Sequence, residues 1–439
     1  MRSAFTCLSL AFEPPALPAS CRWLVVFFGM ALLLPPLPFR LGNTGPHLAL
    51  LAAAAGVWIG VRRFSEWRWE SDALTVALLT LFSILLASVA MAALYSGAVI
   101  AVGSLARVLL FGISVYVFLY LRDGPGAASS VQPSTLIRVM FWAAVASALF
   151  ACIDFYFRFP APAGFSPQFL GLGRIIIRRA QGVFYDAGAL GNVCAFFLEM
   201  IAVSLLSRTR DLPGPSPAVI IGGVVLACAL TLSFSRGSLL NLVVALVVLL
   251  CLERRRIKLR LLAGVALVAG AAAAVLHRMV PVFASIYWHR ILASLQNFTH
   301  SPDQVLSGRL KSWSMLGDFV LAHPGRALLG IGYKTLPYSG ITGTPVIADN
   351  TYLSALVETG VFGLGAVIFL NVAILRAAYR VSKSAGERSS LGAWMFCFWA
   401  GQCVQMLTVD LLTYWRVLPL YFCVLALATQ KEPGEYPVP

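Results

Sequence analysis

Charged residues are scarce in this 439-residue chain. Aspartate, glutamate, lysine and arginine make up only 12% of it, about half the share of an ordinary soluble domain, while 59% is hydrophobic. So much apolar surface cannot be buried inside a water-soluble core. Apolar runs of roughly 18 or more residues also recur along the whole length, which is the pattern of membrane-spanning helices. The composition therefore excludes a soluble protein and predicts an all-α polytopic membrane protein.

Several other features are missing, and each absence excludes a class of function. None of the nine cysteines forms a CxxC pair, so neither a zinc site nor a disulfide framework is indicated. The net charge is +15, but there is no long basic tail and no basic patch interleaved with aromatic residues, so we expect no nucleic-acid partner. The N-terminus lacks the pattern of a cleaved signal peptide, so the first spanning helix is expected to act as the targeting signal.

Hydropathy predicts about twelve spanning segments. With both termini in the cytoplasm, the inner loops contain clusters of basic residues such as "ERRRIKLR" at 253–260, as the positive-inside rule requires. Two long connections then lie outside, at 157–186 and 278–351, within a single transmembrane domain spanning 1–439. The second is long enough to be functional rather than a simple connector. The predicted segments lie near residues 23–39, 47–61, 73–95, 104–121, 136–156, 187–206, 217–234, 237–252, 260–277, 352–375, 391–409 and 412–429.

The longer outer connection contains a predicted amphipathic helix. Apolar residues recur at helical spacing within "SGRLKSWSMLGDFVLAHPG" at 307–325, and this helix is expected to lie against the membrane domain. Ser307 is the expected N-cap, and Pro324 with Gly325 is expected to end the helix. The apolar face consists of Leu310, Trp313, Leu316 and Val320.

Arginines on the predicted outer face oppose the usual charge bias, so we expect them to bind something. Arg236 lies in the bend between two spanning segments, within "LTLSFSRGSLLNLVV" at 230–244, where Ser235 adds a hydroxyl and the next helix offers N-terminal amides. An arginine beside a helix N-terminus is a natural site for phosphate. Arg309 begins the amphipathic helix, where a cation opposes the helix dipole and so favours a separate purpose.

A plainer interpretation stays open for each of these arginines. Arg236 can anchor the bend by extending its side chain to the membrane–water boundary. Arg309 can be a solvated residue at a helix end. Arg178 and Arg179 are adjacent, so at most one of them is expected to point inward, and both can bind lipid phosphates at the interface. The alternative is that the outer face binds a ligand with phosphates and a lipid tail, such as a lipid-diphosphate sugar donor.

Four stretches of the chain resemble motifs of the O-antigen ligase and polymerase superfamily. "SFSRGSLL" (233–240) is similar to its S-R-G element, and "SGRLKSWSMLGDFVLAHPGRALLGIGYKT" (307–335) to its G-R-x₃-W…P…G-x-G element. "ADNTYLSALVETGVFGLG" (348–365) resembles the H-N-x-[YL]-L…E-x-G-x-x-G element, and "RAQGVFYDAGALGN" (179–192) resembles an upstream R-x-x-G-x-F…N element. The resemblance covers roughly residues 175–370 and rests on the order and spacing of these motifs.

The resemblance implies a GT-C-like fold whose active site faces the periplasm from the inner membrane of a Gram-negative bacterium. Ligases of this family transfer a polysaccharide from undecaprenyl diphosphate to the lipid A–core oligosaccharide, and look like metal-independent, inverting glycosyltransferases without a cofactor. The implied partners are therefore the lipid-linked donor, the lipid A–core acceptor and membrane lipid. Carried over by position, Arg236 and Arg309 would bind the diphosphate. The expected substrate-binding residues are Arg178, Arg179, Ser235, His323, Asn350 and Glu358.

The chain departs from the family pattern at one position that matters for chemistry. The family motif has His-Asn, whereas this chain has Asp349-Asn350. If the family histidine is the general base, Asp349 is expected to replace it, although either Asp349 or Asn350 can instead cap the next helix. His323 and His300, in the same connection, are rival bases. Glu358 matches the family's E-x-G and is expected to pair with an arginine or to line a polar cavity.

Other functions remain as alternatives to an O-antigen ligase. An O-antigen or exopolysaccharide polymerase uses the same donor chemistry with another lipid-linked glycan as acceptor, and a further relative transfers glycans to protein. The motifs barely separate these enzymes. A transporter or lipid flippase is the non-enzyme alternative, but such proteins usually have paired repeats and broken helices, and the sequence indicates neither.

Overall fold

The structure is a computed structural model. It describes residues 18–38, 46–128, 132–162, 165–172, 175–206, 212–214, 216–253, 259–279, 292, 296, 308–338, 346–386 and 388–430. Two predicted residues, the N-cap Ser307 and the rival base His300, lie outside the described residues, as does much of the 278–351 connection.

Helices dominate the described part of the chain, which also contains one pair of short strands, β1 (Phe169–Leu172) and β2 (Ile175–Arg178). The helices are α1 (Arg22–Leu33), α2 (Ala49–Arg62), α3 (Ala73–Ser96), α4 (Ala98–Arg122), α5 (Pro125–Ala128), α6 (Pro133–Phe157), α7 (Ala187–Leu206), α8 (Pro217–Leu232), α9 (Arg236–Leu252), α10 (Leu259–Met279), α11 (Arg309–Ala322), α12 (Pro324–Leu329), α13 (Thr351–Lys383), α14 (Ser389–Gln405) and α15 (Leu418–Thr429).

A helix is present at each of the twelve segments predicted to span the membrane. Five of these helices, α3, α4, α6, α7 and α13, are long and apolar enough to cross a membrane by themselves. Shorter apolar stretches are α1, α2, α8, α9, α15 and the Leu262–Arg278 part of α10. The protein is thus a mostly helical, multi-pass membrane protein. Helix α13 continues to Lys383, beyond the predicted end at 375, whereas α1 ends before the predicted residue 39. Helix α1 ends at Leu33 because Pro35 and Pro36 follow, and the residue before a proline disfavours helix.

The interior packs around α7, whose apolar stretch is 94% buried. Phe196 of α7 contacts Trp394 and Phe398 of α14 and Tyr421 of α15, with ring centroids 4.3, 4.8 and 4.7 Å away. The indole N–H of Trp394 also donates to the carbonyl of Phe196 at 2.8 Å. Aromatic packing of this kind fixes the helices relative to one another. The beginnings of α7 and α9 are therefore held in place at one end of the helical core.

The predicted outer connection at 157–186 contains the β1–β2 hairpin, a short addition to a mostly helical fold that is consistent with the all-α prediction. The strands are antiparallel, with Phe169 opposite Arg178 and Leu170 opposite Ile177. Opposite residues lie on the same face of a ladder and neighbours along a strand alternate between faces. Leu170 and Ile177 pack against the helical core. Arg178 therefore leaves the hairpin on its other face.

The amphipathic helix differs from the prediction at its start. Its first residue is Arg309, and Gly308 with φ 80° is the N-cap. It ends at Ala322, directly before the predicted stop at Pro324, and Pro324 begins the next helix, α12, where the missing proline N–H has no hydrogen bond to make. Leu316 is buried as predicted, and it packs in a small cluster together with Ile331, Leu336, Val346, Ala348 and Val357.

Helix α13 is broken at Gly360, where φ is 74° and ψ is −173°. The segment after α12 fills the break, because the amides of Ile331 and Gly332 donate to the carbonyls of Val357 and Glu358 at 3.1 and 2.9 Å. Backbone groups released from a membrane helix need such partners. The sequence indicated no broken helix, and the break at Gly360 shows that this prediction is wrong. Apolar composition alone does not reveal that part of another segment completes a helix.

Candidate functional site

Arg179 is fixed by the end of helix α8. The amide of the next residue, Ala180, donates to the carbonyl of Leu232 at 2.9 Å, and the Arg179 Nε–H donates to the carbonyl of Ser233 at 2.8 Å. The last carbonyls of a helix have no partner within the helix. The arginine therefore binds a free helix end and positions its remaining guanidinium nitrogens at the bend between α8 and α9.

Arg236 is the first residue of α9, on the other side of the same bend. Ser235 is the N-cap: its hydroxyl accepts a hydrogen bond from the amide of Ser238 at 3.4 Å and lies 2.8 Å from the Ser238 hydroxyl. Phe234 has a φ of 50°, which a tight bend requires and which few non-glycine residues adopt. Ser235 therefore caps α9, and its hydroxyl is part of the bend; its predicted substrate-binding role stays a prediction.

Buried polar side chains join α9 to α14 below Arg236. Asn241 donates from Nδ2 to the Oε1 atoms of Gln402 and Gln405 at 3.1 and 3.0 Å, and Gln405 donates from Nε2 to the Ser238 hydroxyl at 3.3 Å. All four side chains are at most 1% exposed. Hydrogen bonds between buried side chains fix the register of packed membrane helices. The N-terminus of α9, and with it Arg236, is therefore held against α14.

Arg309 comes to the site from α11. Its Nε atom lies 3.3 Å from the Oδ2 atom of Asp349. One turn later on the same helix, the indole N–H of Trp313 donates to the carbonyl of Ala348 at 2.7 Å. Two contacts thus attach α11 to the segment that leads into α13. The structure brings Arg309 and Asp349 together, although 40 positions separate them in the chain.

The three arginines act on one another electrostatically. Arg309 and Arg179 are the charges that oppose the charge of Arg236. Burial lowers the pKa of Arg179, Asp186 opposes this shift, and Arg309 adds to it. Arginine nevertheless keeps its charge in proteins. Each of the three residues Arg179, Arg236 and Arg309, hereafter the arginine cluster, is half-buried. Neighbouring like charges attract an anion, so the arginine cluster is a candidate anion site.

Arg178 points away from this cluster, as expected for one of two adjacent arginines. Its guanidinium lies 3.0 and 3.1 Å from the two carboxylate oxygens of Asp154 on α6. Both side chains are about nine-tenths buried. A paired, buried arginine has little free charge for a ligand, so this ion pair speaks against the substrate-binding role predicted for Arg178, which stays untested. Arg178 attaches the hairpin to α6 instead.

The structure separates the roles of Asp349 and Asn350. Asn350 is the N-cap of α13, and its Oδ1 atom accepts from the amides of Tyr352 and Leu353 at 3.0 Å each. Asp349 does not cap the helix. Its φ is 43°, and its side chain is 45% exposed and faces Arg309. The Asn350 side chain is therefore committed to the helix, whereas the Asp349 carboxylate is accessible beside the arginine cluster.

Glu358 belongs to a different group of charges. It is 2% exposed, its Oε1 atom accepts from the amide of Leu336 at 3.3 Å, and its Oε2 atom lies 4.0 Å from Lys334 Nζ. The same ammonium forms an ion pair with Asp410. Of the two expectations for Glu358, the arginine partner is wrong, because the partner is a lysine. The other agrees with the structure, since Glu358 lines a small pocket together with Lys334 and Asp410. These contacts hold the segment before α13 against α13 rather than a substrate.

His323 lies at the wrong end of α11 to act at the arginine cluster. It is exposed, and its ring stacks on Phe319 with centroids 4.9 Å apart. Fourteen residues separate it from Arg309, which is roughly 20 Å at 1.5 Å per residue. This position speaks against the predicted roles of His323 in binding or proton transfer, which stay untested.

Asp186 and Tyr414 act on Arg179 electrostatically, and sequence reasoning did not single them out. Asp186 is a helix-capping residue, a role that aspartate at this position in the sequence could have suggested. Its Oδ1 atom accepts from the amides of Gly188 and Ala189 at 2.6 and 2.9 Å. Tyr414 carries no such local signal. Within the part of the chain that the structure describes, no group of three or more histidine, cysteine, aspartate or glutamate side chains is arranged to hold a metal ion.

Comparison with known proteins covers the centre of the chain. No curated protein matches the sequence. A family model described as O-antigen ligase matches residues 221–368, about a third of the chain. The matched stretch contains Arg236, Arg309 and Asp349, and it supports a glycan-transfer role of the ligase or polymerase type. Over residues 221–368 the chain is thus similar to the O-antigen ligases, and its resemblance to the O-antigen ligase and polymerase superfamily is confirmed.

Proposed function

We propose that this protein is an O-antigen ligase. It transfers a polysaccharide from undecaprenyl diphosphate to the lipid A–core oligosaccharide at the periplasmic face of the inner membrane. The observation that carries the proposal is the arginine cluster. Three cations from three separate elements meet beside one accessible carboxylate, in a protein whose surroundings are membrane. A lipid diphosphate is the anion that a cationic site in a membrane protein would bind.

The cluster would stabilise the leaving group without a metal ion. The acceptor hydroxyl oxygen attacks the anomeric carbon of the first sugar, the carbon–oxygen bond to the diphosphate breaks on the opposite side, and the configuration inverts. The two electrons of that bond leave with undecaprenyl diphosphate, whose added negative charge the guanidinium groups of Arg179, Arg236 and Arg309 balance. Oriented donors of this type contribute most when charge develops in the transition state.

Asp349 would accept the proton of the acceptor hydroxyl. Its carboxylate is accessible and beside Arg309, so an acceptor oxygen next to the diphosphate would lie within its reach. Asn350 already caps α13, which leaves Asp349 without a structural duty at the helix end. The outer position of the cluster, the topology with both termini in the cytoplasm and the single 1–439 domain are parts of the same proposal.

The test is transfer with purified protein, a lipid-linked glycan and lipid A–core, in a chelating buffer without nucleotide. We expect Arg236→Ala and Arg309→Ala each to lower transfer by about 10²–10³-fold, the loss typical of one transition-state donor. Arg326→Ala is the matched control, because Arg326 lies over the Tyr95 ring, 5.3 Å from its centroid, on the next helix. Normal transfer by both cluster variants would refute the diphosphate site.

Cell phenotypes distinguish the ligase from the related enzymes. Loss of a ligase leaves bare lipid A–core and a stranded lipid-linked polymer. Loss of a polymerase leaves lipid A–core capped with one repeat unit, and loss of a protein glycan transferase leaves lipopolysaccharide normal and a periplasmic protein unglycosylated. We expect the first pattern.

A further inference from the structure

The segment between α14 and α15, residues 406–417, touches the start of α9. A Cβ on Gly237 would lie only 3.2 Å from the Oγ1 atom of Thr408, so the segment packs closely against α9 there. Gly237 follows Arg236 of the arginine cluster. The segment, hereafter the α14–α15 connection, lies outside the stretch that the family model matches, and it contains none of the predicted site residues. It nevertheless borders the cluster.

The α14–α15 connection also binds the start of α13. The amide of Thr351 donates to the carbonyl of Met406 at 2.8 Å. The Thr351 hydroxyl accepts from the amide of Leu411 at 3.0 Å and donates to the carbonyl of Val409 at 2.8 Å. Thr351 lies two residues after Asp349. The same hydrogen bonds therefore hold the connection next to the segment that carries the accessible carboxylate.

Tyr414 extends from the connection to the start of α7. Its hydroxyl fills the space where a Cβ of Gly188 would lie, and the Asp186 Oδ1 atom is 3.0 Å from the same point. Tyr414 is 9% exposed, and within the part of the chain that the structure describes its hydroxyl forms no hydrogen bond. Buried polar groups are normally hydrogen-bonded, because a missing partner costs free energy. The unpartnered hydroxyl therefore indicates a ligand that completes its hydrogen bonding.

The charges around Tyr414 are those of the candidate site. Asp186, Asp349 and Arg179 all act on it electrostatically. Burial and the two carboxylates disfavour a phenolate, so the hydroxyl keeps its proton and can donate it in a hydrogen bond. Arg179 belongs to the arginine cluster. A protonated phenol beside this arginine is a donor for the same anion.

We propose that the Tyr414 hydroxyl is a substrate-binding group, which donates a hydrogen bond to a phosphate oxygen of the donor's diphosphate beside Arg179. This inference rests on the proposed function, because it takes the arginine cluster as the diphosphate site. The three arginines supply charge, and Tyr414 supplies a neutral, directional donor from a further element. Its hydrogen bond would strengthen as negative charge develops on the leaving group. The α14–α15 connection is then part of the site.

Tyr414→Phe tests the proposal because it removes the hydroxyl and keeps the ring. Purified protein in detergent is titrated with undecaprenyl diphosphate, and kcat/KM for transfer is measured on the same sample. We expect the Kd to rise and kcat/KM to fall by about 10–100-fold, the range for a hydrogen bond to a charged group. The melting temperature should not fall, since the hydroxyl has no partner among the described residues. A Kd equal to that of the wild type would overturn the proposal.

Tyr421→Phe is the matched control. The Tyr421 hydroxyl is also buried and without a hydrogen bond among the described residues, but its ring packs against Phe196 and Phe398 in the helical core. Its Kd and kcat/KM should stay those of the wild type. An equal loss of affinity in both variants would overturn the proposal, because the loss of any buried hydroxyl would then have the same effect.

Gly188→Ala keeps the proposal testable if Tyr414→Phe does not fold. Its new Cβ would displace the Tyr414 hydroxyl, so the affinity for undecaprenyl diphosphate should also fall, and an unchanged Kd would overturn the proposal. The two measurements separate this inference from the proposed function. Binding that depends on Tyr414 without any polysaccharide transfer by the wild type would count against the proposed function alone. Equal transfer by the wild type and Tyr414→Phe would count against the role of Tyr414 alone.

Discussion

Replacement of Asp349 by asparagine separates catalysis from helix capping. Asn350 accepts both capping hydrogen bonds, so the Asp349 side chain is not needed to begin α13. The backbone of Asp349, with φ 43°, is a conformation that asparagine tolerates better than most residues. The pair with Arg309 is partly exposed, and such pairs contribute at most about 1 kcal/mol. Asp349→Asn is therefore expected to fold almost as well as the wild type.

The expected effect on the rate is much larger. Asparagine can accept a hydrogen bond from Arg309 but cannot take a proton, so the loss should be that of a general base, about 10²–10⁴-fold. Single-turnover transfer with saturating donor and acceptor measures this step, and the melting temperature of the same sample measures folding. A rate close to that of the wild type would refute the base role of Asp349.

Asn350→Ala is the matched control because it should do the opposite. Loss of a side-chain cap destabilises a helix by roughly 0.5–2 kcal/mol. We therefore expect a lower melting temperature with the rate of the folded fraction preserved. The contradicting result would be a loss of transfer in Asn350→Ala as large as that in Asp349→Asn, with no loss of stability. It would mean that Asn350 is not simply the cap and that Asp349 is not the only residue needed for proton transfer.

Three further substitutions test the surroundings of the site. Arg178→Ala leaves the buried Asp154 carboxylate unpaired and should destabilise the protein by about 3–5 kcal/mol in a denaturation assay. The double variant, which adds Asp154→Ala, should recover much of that loss in the same assay. Lys334→Met should destabilise by a similar amount, measured by thermal unfolding in detergent, because two buried carboxylates lose their shared cation. Gly360→Ala should unfold at a lower temperature than Gly365→Ala, since only at Gly360 is φ positive and the space for a Cβ filled by backbone.

Hydropathy predicted the positions of the helices because burial in lipid requires long apolar runs, and those runs are local in sequence. The arginines at helix ends were also predictable, since a cation in such a place is costly and so conspicuous. Arg309 acts electrostatically on Arg236, and the diphosphate role of the two residues stays a prediction. In the sequence, Arg178 and Arg179 were equivalent candidates. Only the fold of the hairpin determines that Arg179 is the one that faces the cluster.

The remaining features depend on contacts between distant segments. Lys334 and Asp410 are 76 positions apart, and no local pattern marks them as partners. Asp349 and Asn350 are both good N-cap residues, so the sequence could not assign the cap. The break in α13 depends on amides supplied by the segment after α12, and hydropathy does not register hydrogen bonds between segments.

The bend that Arg179 stabilises sets the order in which parts of the site are synthesised. Arg179, Ser233 and Arg236 are all synthesised before the chain that carries Arg309 and Asp349, so the hairpin, α8 and the start of α9 can assemble while the ribosome still holds the rest. The third arginine and the carboxylate arrive last. A prematurely terminated chain would therefore lack Arg309 and Asp349 and would carry an incomplete candidate anion site.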